Sequence, residues 1–229
     1  MFHEKQHLMH CAVHTLNNLF QKPWATASLM EDIAKELFNR EANMRKECGM
    51  RPMWVNPYKS VVPHVGYYDI NCLLEALKLK KCHVSLHAVF NPKESNAVAK
   101  SLDHLDPSSG CVRGIVVNRV SKSLLGGLYT SHHFYAIVPS KGPTTGGPEN
   151  PAAAGSGGSG DVEGGVMAWC IVDSKAAAPE VVGGAAELAL HLGMEAREHQ
   201  GHVFVVSDGE TNGSSDINGG AEDEKVAAG

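Results

Sequence analysis

The chain has 229 residues, 43% of them apolar, and a net charge of −5 from 25 acidic and 20 basic side chains. That is enough for one domain with a sizeable core and a tail, and it lacks the gathered basic surface that would attract nucleic acid or an anionic membrane. The opening MFHEKQHLMH has no apolar core of a secretory signal, and no run reaches the length of a membrane span. Cys11, Cys48, Cys72, Cys82, Cys111 and Cys170 are scattered without CxxC pairs, which predicts free thiols, a reducing compartment and a cytoplasmic or nuclear location.

Helical patterning dominates the first eighty residues. Residues 11–21, CAVHTLNNLFQ, place Ala12, Leu16, Leu19 and Phe20 near one face, and Lys22 and Pro23 end the run. A second helix is predicted over 28–39, where Ser28 and Glu31 have the form of a capping box and Ile33, Ala34 and Leu37 make the apolar face. Residues 40–64 contain three prolines and read as an irregular excursion. A third helix starts with Asp69 as N-cap and buries Ile70, Leu73, Leu74 and Leu77.

Strand patterning follows. Residues 83–90 (HVSLHAVF), 112–120 (VRGIVVNRV), 132–138 (HHFYAIV), 166–173 (VMAWCIVD) and 202–207 (HVFVVS) are short β-rich runs, with a further helix predicted over 184–199, between the last two. Helices first and strands afterwards predict an α+β fold, an N-terminal helical part followed by a largely antiparallel sheet. Residues 140–165 are rich in Gly, Pro and Ser, which predicts a flexible insertion between two strands. The domain is expected over 1–207, and 208–229 has the composition of a disordered tail.

Four residues carry candidate chemistry. If the first helix starts at Cys11, its thiol sits among unpaired backbone N–H groups at the positive end of a helix dipole, which predicts a lowered pKa and a nucleophilic thiolate. Gln6, on the preceding loop, can turn its amide back to donate to an oxyanion. A small core cysteine beside a surface glutamine would give the same composition. His133, heading a strand, is a candidate general base with His132 as its competitor, since alternation sends the two rings to opposite faces. Asp173, closing the next strand, can hold the tautomer that a base requires.

The order is what makes these weak signals specific: an early helical cysteine, then a histidine and a carboxylate at the ends of two later strands. Residues 2–21 (FHEKQ, then CAVHTLNNLFQ) resemble the opening signature of the Josephin domain. GYYDINCLLEALKL (66–79), GIVVN (114–118), HHFYAIV (132–138) and IVDSKAAAPE (171–180) resemble its later blocks in matching order. The resemblance implies a papain-like cysteine protease fold, with Cys11 as nucleophile, His133 as base, Asp173 as third member and Gln6 as oxyanion donor. It also implies a thiol-protease deubiquitinase that hydrolyses ubiquitin isopeptide bonds as a monomer, on ubiquitin or ubiquitinated proteins, with no metal or other cofactor. Phe134 stands where that family usually has tryptophan, an exchange of one aromatic packing residue for another. No ubiquitin-interacting helix follows, so the chain reads as a short member carrying this domain alone.

Three other readings use the same residues. His7, His10 and His14, with Cys11 among them, would share a face if one helix ran through all four, and could then bind zinc. A ubiquitin-binding module would keep the triad in a blocked or misaligned site. An interaction domain unrelated to ubiquitin would neither bind nor cleave it.

Overall fold

The computed structural model describes residues 1–60, 66–90, 105, 107–108, 112–122, 130–141 and 167–209. Helix α1 (Cys11–Phe20) is the centre of the packing, with every residue from Cys11 to Leu19 buried. Ala12 and Leu16 are wholly enclosed, and burying a side chain the size of Leu16 contributes about 1.5–3 kcal/mol. The helix ends at Gln21, which takes the left-handed conformation (φ 54°).

Helix α2 (Ala27–Glu47) differs from the sequence reading at both ends. Its N-cap is Thr26, whose hydroxyl accepts from the Leu29 amide at 3.1 Å, so the expected Ser28 capping box is not what starts it. It also continues eight residues past 39, through residues assigned to an irregular excursion. Residues 40–47 contain neither Gly nor Pro, Arg45 bonds back to Glu41 at 2.9 Å, and Arg40 reaches Glu75 on the next helix. The interruption comes at Gly49, in the left-handed region with φ 65°. Helix α3 (Ile70–Leu79) is capped as expected, with Asp69 accepting from the Asn71 amide at 2.9 Å. It buries Cys72, Leu73, Ala76 and Leu77, while Ile70 and Leu74 are half-buried against the same core.

Six strands form one sheet in the order β1-β6-β2-β3-β4-β5, and every pairing is antiparallel. They are β1 (Cys82–Phe90), β2 (Val112–Lys122), β3 (Thr130–Lys141), β4 (Met167–Val172), β5 (Glu180–Gly183) and β6 (Gln200–Asp208), with helix α4 (Ala185–Glu198) between the last two. The α+β class and the antiparallel sheet agree with the sequence reading. Strand β5 was not anticipated: four residues long, with Glu180 and Val181 exposed, it is too short to carry a period-two pattern. Ser140 and Lys141, placed with the insertion by composition, pair with Ala168 and Met167 in the sheet. The remainder of that insertion, 142–165, and the tail from 210 onward lie outside the described residues; β6 itself runs through Asp208.

Both faces of the central strands are covered, which is why they read as nearly continuous apolar runs. Val116, Phe134, Ala136, Val138, Val172, Phe204 and Val206 pack with α1, α2 and α3. Ile115, Val117, Tyr135, Ile137, Trp169 and Val203 pack with Leu188, Leu192 and Ala196 of α4. Among the described residues, no helix is long and apolar enough to cross a membrane.

Candidate active site

Strand β4 pairs with β3 only as far as Val172 opposite Ala136. The edge of β3 ahead of that point is therefore open, and α1 packs against it. Cys11, the first residue of α1, lies there, its sulfur in reach of a hydrogen bond from the Phe134 backbone. The residue before the helix, His10, supplies no side-chain cap, so the first-turn N–H groups are not covered by a capping side chain.

The thiol pKa is raised, not lowered, which corrects the sequence expectation. Burial dominates and pushes it up from the ordinary 9.0, while the Phe134 backbone, Lys175 and the Ala12 backbone pull it down and Asp173 adds to the rise. Cys11 is only 6% exposed, and a dry setting disfavours the anion more than the helix terminus favours it. At rest this cysteine is a thiol that needs a base.

Asp173 follows β4 directly and bonds through Oδ1 to His133 Nε2 at 2.8 Å. Burial alone would raise the Asp173 carboxyl. The bond from His133, its charge, the Lys175 amide at 2.8 Å and the charge of Arg119 together hold it below its ordinary value. His133 Nδ1 is buried with no hydrogen-bond partner among the described residues. Alternation separates the two histidines as expected. His132 turns the other way, its Nδ1 at 3.4 Å from Asn118 Oδ1 and its ring edge-on to Tyr67 at 6.0 Å.

Gln6 is held beside the same turn. Its backbone N–H donates to the Ser174 carbonyl at 2.8 Å, its Oε1 accepts from the Ser174 hydroxyl at 3.3 Å, and its Nε2 donates to the Leu8 carbonyl at 2.6 Å. The structure thus brings Cys11, His133 and Asp173 to one end of the β3–β4 pair, with Gln6 on its rim and its amide already engaged.

Sequence reading passed over the residues that hold this rim in place. Asn17 and Asn18 are buried mid-helix amides, a placement helix propensity disfavours, and that misfit was the available signal. Asn17 Nδ2 donates to Glu4 Oε2 at 2.6 Å, and its Oδ1 accepts from the Trp24 and Ala25 amides. Asn18 Oδ1 accepts from the Glu4 amide at 2.7 Å. His14 accepts from the His7 amide at Nε2 and sets Nδ1 3.2 Å from Glu4. His3 Nε2 meets the Asp173 carbonyl at 2.9 Å. The residues of the opening signature therefore clamp the segment 2–7 between α1 and the turn after β4.

The helix required by the zinc reading does not run through His7 and His10. Leu8 has φ 55° and α1 begins only at Cys11; among the described residues, no group of three His, Cys, Asp or Glu is arranged to hold a metal ion. Next to the site, a cleft of about 840 Å³ runs from Leu8 and His10 to Trp54, Lys59, Gly66 and Tyr67. Trp54, 90% exposed, stands over it.

The Josephin family model matches residues 6–207. A Josephin-like protein of Arabidopsis thaliana is 31% identical over 142 residues, covering 60% of this chain and 35% of that protein. A Josephin-like protein of Drosophila melanogaster is 32% identical over 83 residues, covering 36% of this chain and 32% of that protein. The chain spans about a third of the length of these curated relatives.

Proposed function

The chain belongs to the Josephin family, and on that premise we propose that it is a papain-like cysteine deubiquitinase using Cys11, His133 and Asp173. The observation that carries the proposal is the His133 ring: one nitrogen is bonded to a carboxylate at 2.8 Å, and the other is buried without a hydrogen-bond partner among the described residues, beside the strand edge that touches the Cys11 sulfur. A histidine whose Nε2–H is held by Asp173 presents Nδ1 as a proton acceptor.

The chemistry follows from these positions. His133 Nδ1 takes the thiol proton as the sulfur attacks the carbonyl carbon joining the ubiquitin C-terminus to a lysine amine. The C=O electron pair moves to oxygen, where the first N–H groups of α1 and the Gln6 amide stabilise it. As the oxyanion collapses, the C–N bond breaks and imidazolium returns the proton to the departing amine, leaving a thioester on Cys11. Water, deprotonated by His133, then attacks the thioester and releases the ubiquitin carboxylate and the thiol. Asp173, kept ionised, stabilises the imidazolium in both halves. The cleft lined by His10, the residue ahead of Cys11, is in this reading the entry path for an extended C-terminal tail. The five described cysteines are free, which supports a reducing location.

Turnover of ubiquitin carrying a fluorogenic amide at its C-terminus tests the proposal. Hydrolysis by the wild type and none by Cys11→Ala is the expected result, and no hydrolysis by the wild type overturns it. A second reading, a ubiquitin-binding module without turnover, is favoured by the burial of the Cys11 thiol and by the engagement of the Gln6 amide with Leu8. Saturable ubiquitin binding with no turnover would select it.

A further inference from the structure

We propose that Ser174 is a positioning residue that orients the Gln6 carboxamide, so that two consecutive residues serve both halves of the site: Asp173 the base, Ser174 the oxyanion donor. The inference rests on the reading of Gln6 given above.

A glutamine amide has one end that accepts and one that donates, and its terminal torsion is broad and roughly two-fold. Unless something distinguishes the ends, the donor is spread over several directions. Here both ends are distinguished. The Leu8 carbonyl can only accept, so the atom 2.6 Å from it is the amide nitrogen. That leaves Oε1 facing the Ser174 hydroxyl, which donates to it at 3.3 Å. The contact is long for an O–H···O bond. Its direction is nevertheless fixed, because the two residues are tied by the backbone bond from Gln6 N–H to the Ser174 carbonyl at 2.8 Å.

The two restraints are unequal in what they allow. Leu8 is a non-glycine residue at φ 55° in an exposed loop, a conformation held at some cost. Its carbonyl competes with an oxyanion for the same amide, so it must yield, or share, when substrate arrives. Ser174 need not move. It is 3% exposed, its backbone is joined to Asp173, and its hydroxyl contacts the end of the amide that does not react. When Leu8 lets go, Ser174 is the remaining restraint on which way the N–H groups point. A buried hydroxyl has to find a partner, and placing that partner on Gln6 turns an ordinary packing requirement into an alignment.

The chemistry separates this role from a merely structural one. Alkylation of Cys11 by iodoacetamide needs the thiol and its base but forms no oxyanion, whereas acyl transfer needs all three. In the full-length protein, Ser174→Ala is expected to lower kcat for the fluorogenic ubiquitin substrate about 10-fold, with KM and the alkylation rate changed by less than about twofold. Gln6→Ala is expected to lose about 100-fold in kcat, and Ser174→Ala added to it should cost nothing more, because Ser174 acts through Gln6. Unchanged kcat in Ser174→Ala, losses that multiply in the double variant, or an alkylation rate that falls in step with kcat would each overturn the assignment. If Ser174→Ala does not fold, Ser174→Gly, which also lacks the hydroxyl and adds no thiol, is judged by the same criteria. Absence of turnover in the wild type removes the deubiquitinase reading and this inference with it; turnover in the wild type with an equally active Ser174→Ala removes the inference alone.

Discussion

His133 Nε2 lies 2.8 Å from Asp173 Oδ1, joining residues 40 positions apart, one within β3 and the other just past the end of its partner β4. Their side chains are 9% and 18% exposed, and a hydrogen bond to a charged partner in such a setting is worth about 1.5–3 kcal/mol. The bond fixes which ring nitrogen is left over. The consequences for Cys11 can be measured.

Cys11→Ala is expected to abolish both hydrolysis and covalent capture by a ubiquitin probe with a reactive C-terminus. The loss in folding stability should be about 1 kcal/mol, since one buried sulfur is removed. Persistent capture in this variant would identify a different nucleophile.

Replacing the two partners should give unequal losses. His133→Ala removes the proton acceptor and is expected to cost about 10²–10⁴ in kcat. Asp173→Asn keeps an oxygen for the ring and for the Lys175 amide and gives up only the charge, so its loss should be smaller. Equal losses, measured on the fluorogenic ubiquitin substrate, would contradict the roles.

Burial raises the Cys11 thiol above its ordinary 9.0, so without a base the reactive thiolate exists only in alkaline solution. The rate of iodoacetamide modification at Cys11, read by peptide mapping, is therefore expected to climb only above pH 9 in His133→Ala, whereas in the wild type, whose imidazole can take the proton, Cys11 should react at neutral pH. Matching pH profiles for the two proteins would show that the histidine does not act on the thiol.

The Asp173 carboxyl is held below its ordinary 3.8, against the upward push of burial, by His133, Lys175 and Arg119. A carboxyl with a depressed folded pKa stabilises the fold fully above its unfolded value, and that contribution disappears as pH falls through the lower folded value. Denaturant unfolding between pH 5 and pH 2 should consequently show a shallower acid loss in Asp173→Asn than in the wild type. The same slope in both would mean that the carboxylate is not stabilised in the fold.

Gly66 has φ 83°, and a Cβ there would come well inside contact distance of the His10 ring. Gly66→Ala is expected to cost about 1–3 kcal/mol in denaturant unfolding. The displaced ring belongs to the residue ahead of Cys11, so kcat should drop further than the unfolded fraction accounts for. A variant as stable and as active as the wild type would show that this close approach is without consequence.

Much of the architecture is written in local pattern. The apolar spacing of α1, the Asp69 cap and the strand runs around Val116 and Ile137 each follow from neighbours within a few residues, whereas the candidates Cys11, Gln6, His133 and Asp173 come from their order along the chain and from the family resemblance. Local pattern failed where distant residues decide. Residues 40–47 looked irregular because prolines follow, yet their helix is supported by a partner on α3. The helix N-terminus promised a lowered thiol pKa, but desolvation by β3 and the rest of the core outweighs it, and no sequence window records how much water a fold removes. The choice between His133 and His132 belongs to tertiary structure too. Both lie side by side in β3 with the same chemistry, and the bond to Asp173 on one face of the sheet is what distinguishes them, because a hydrogen bond depends on position in space rather than on distance along the chain.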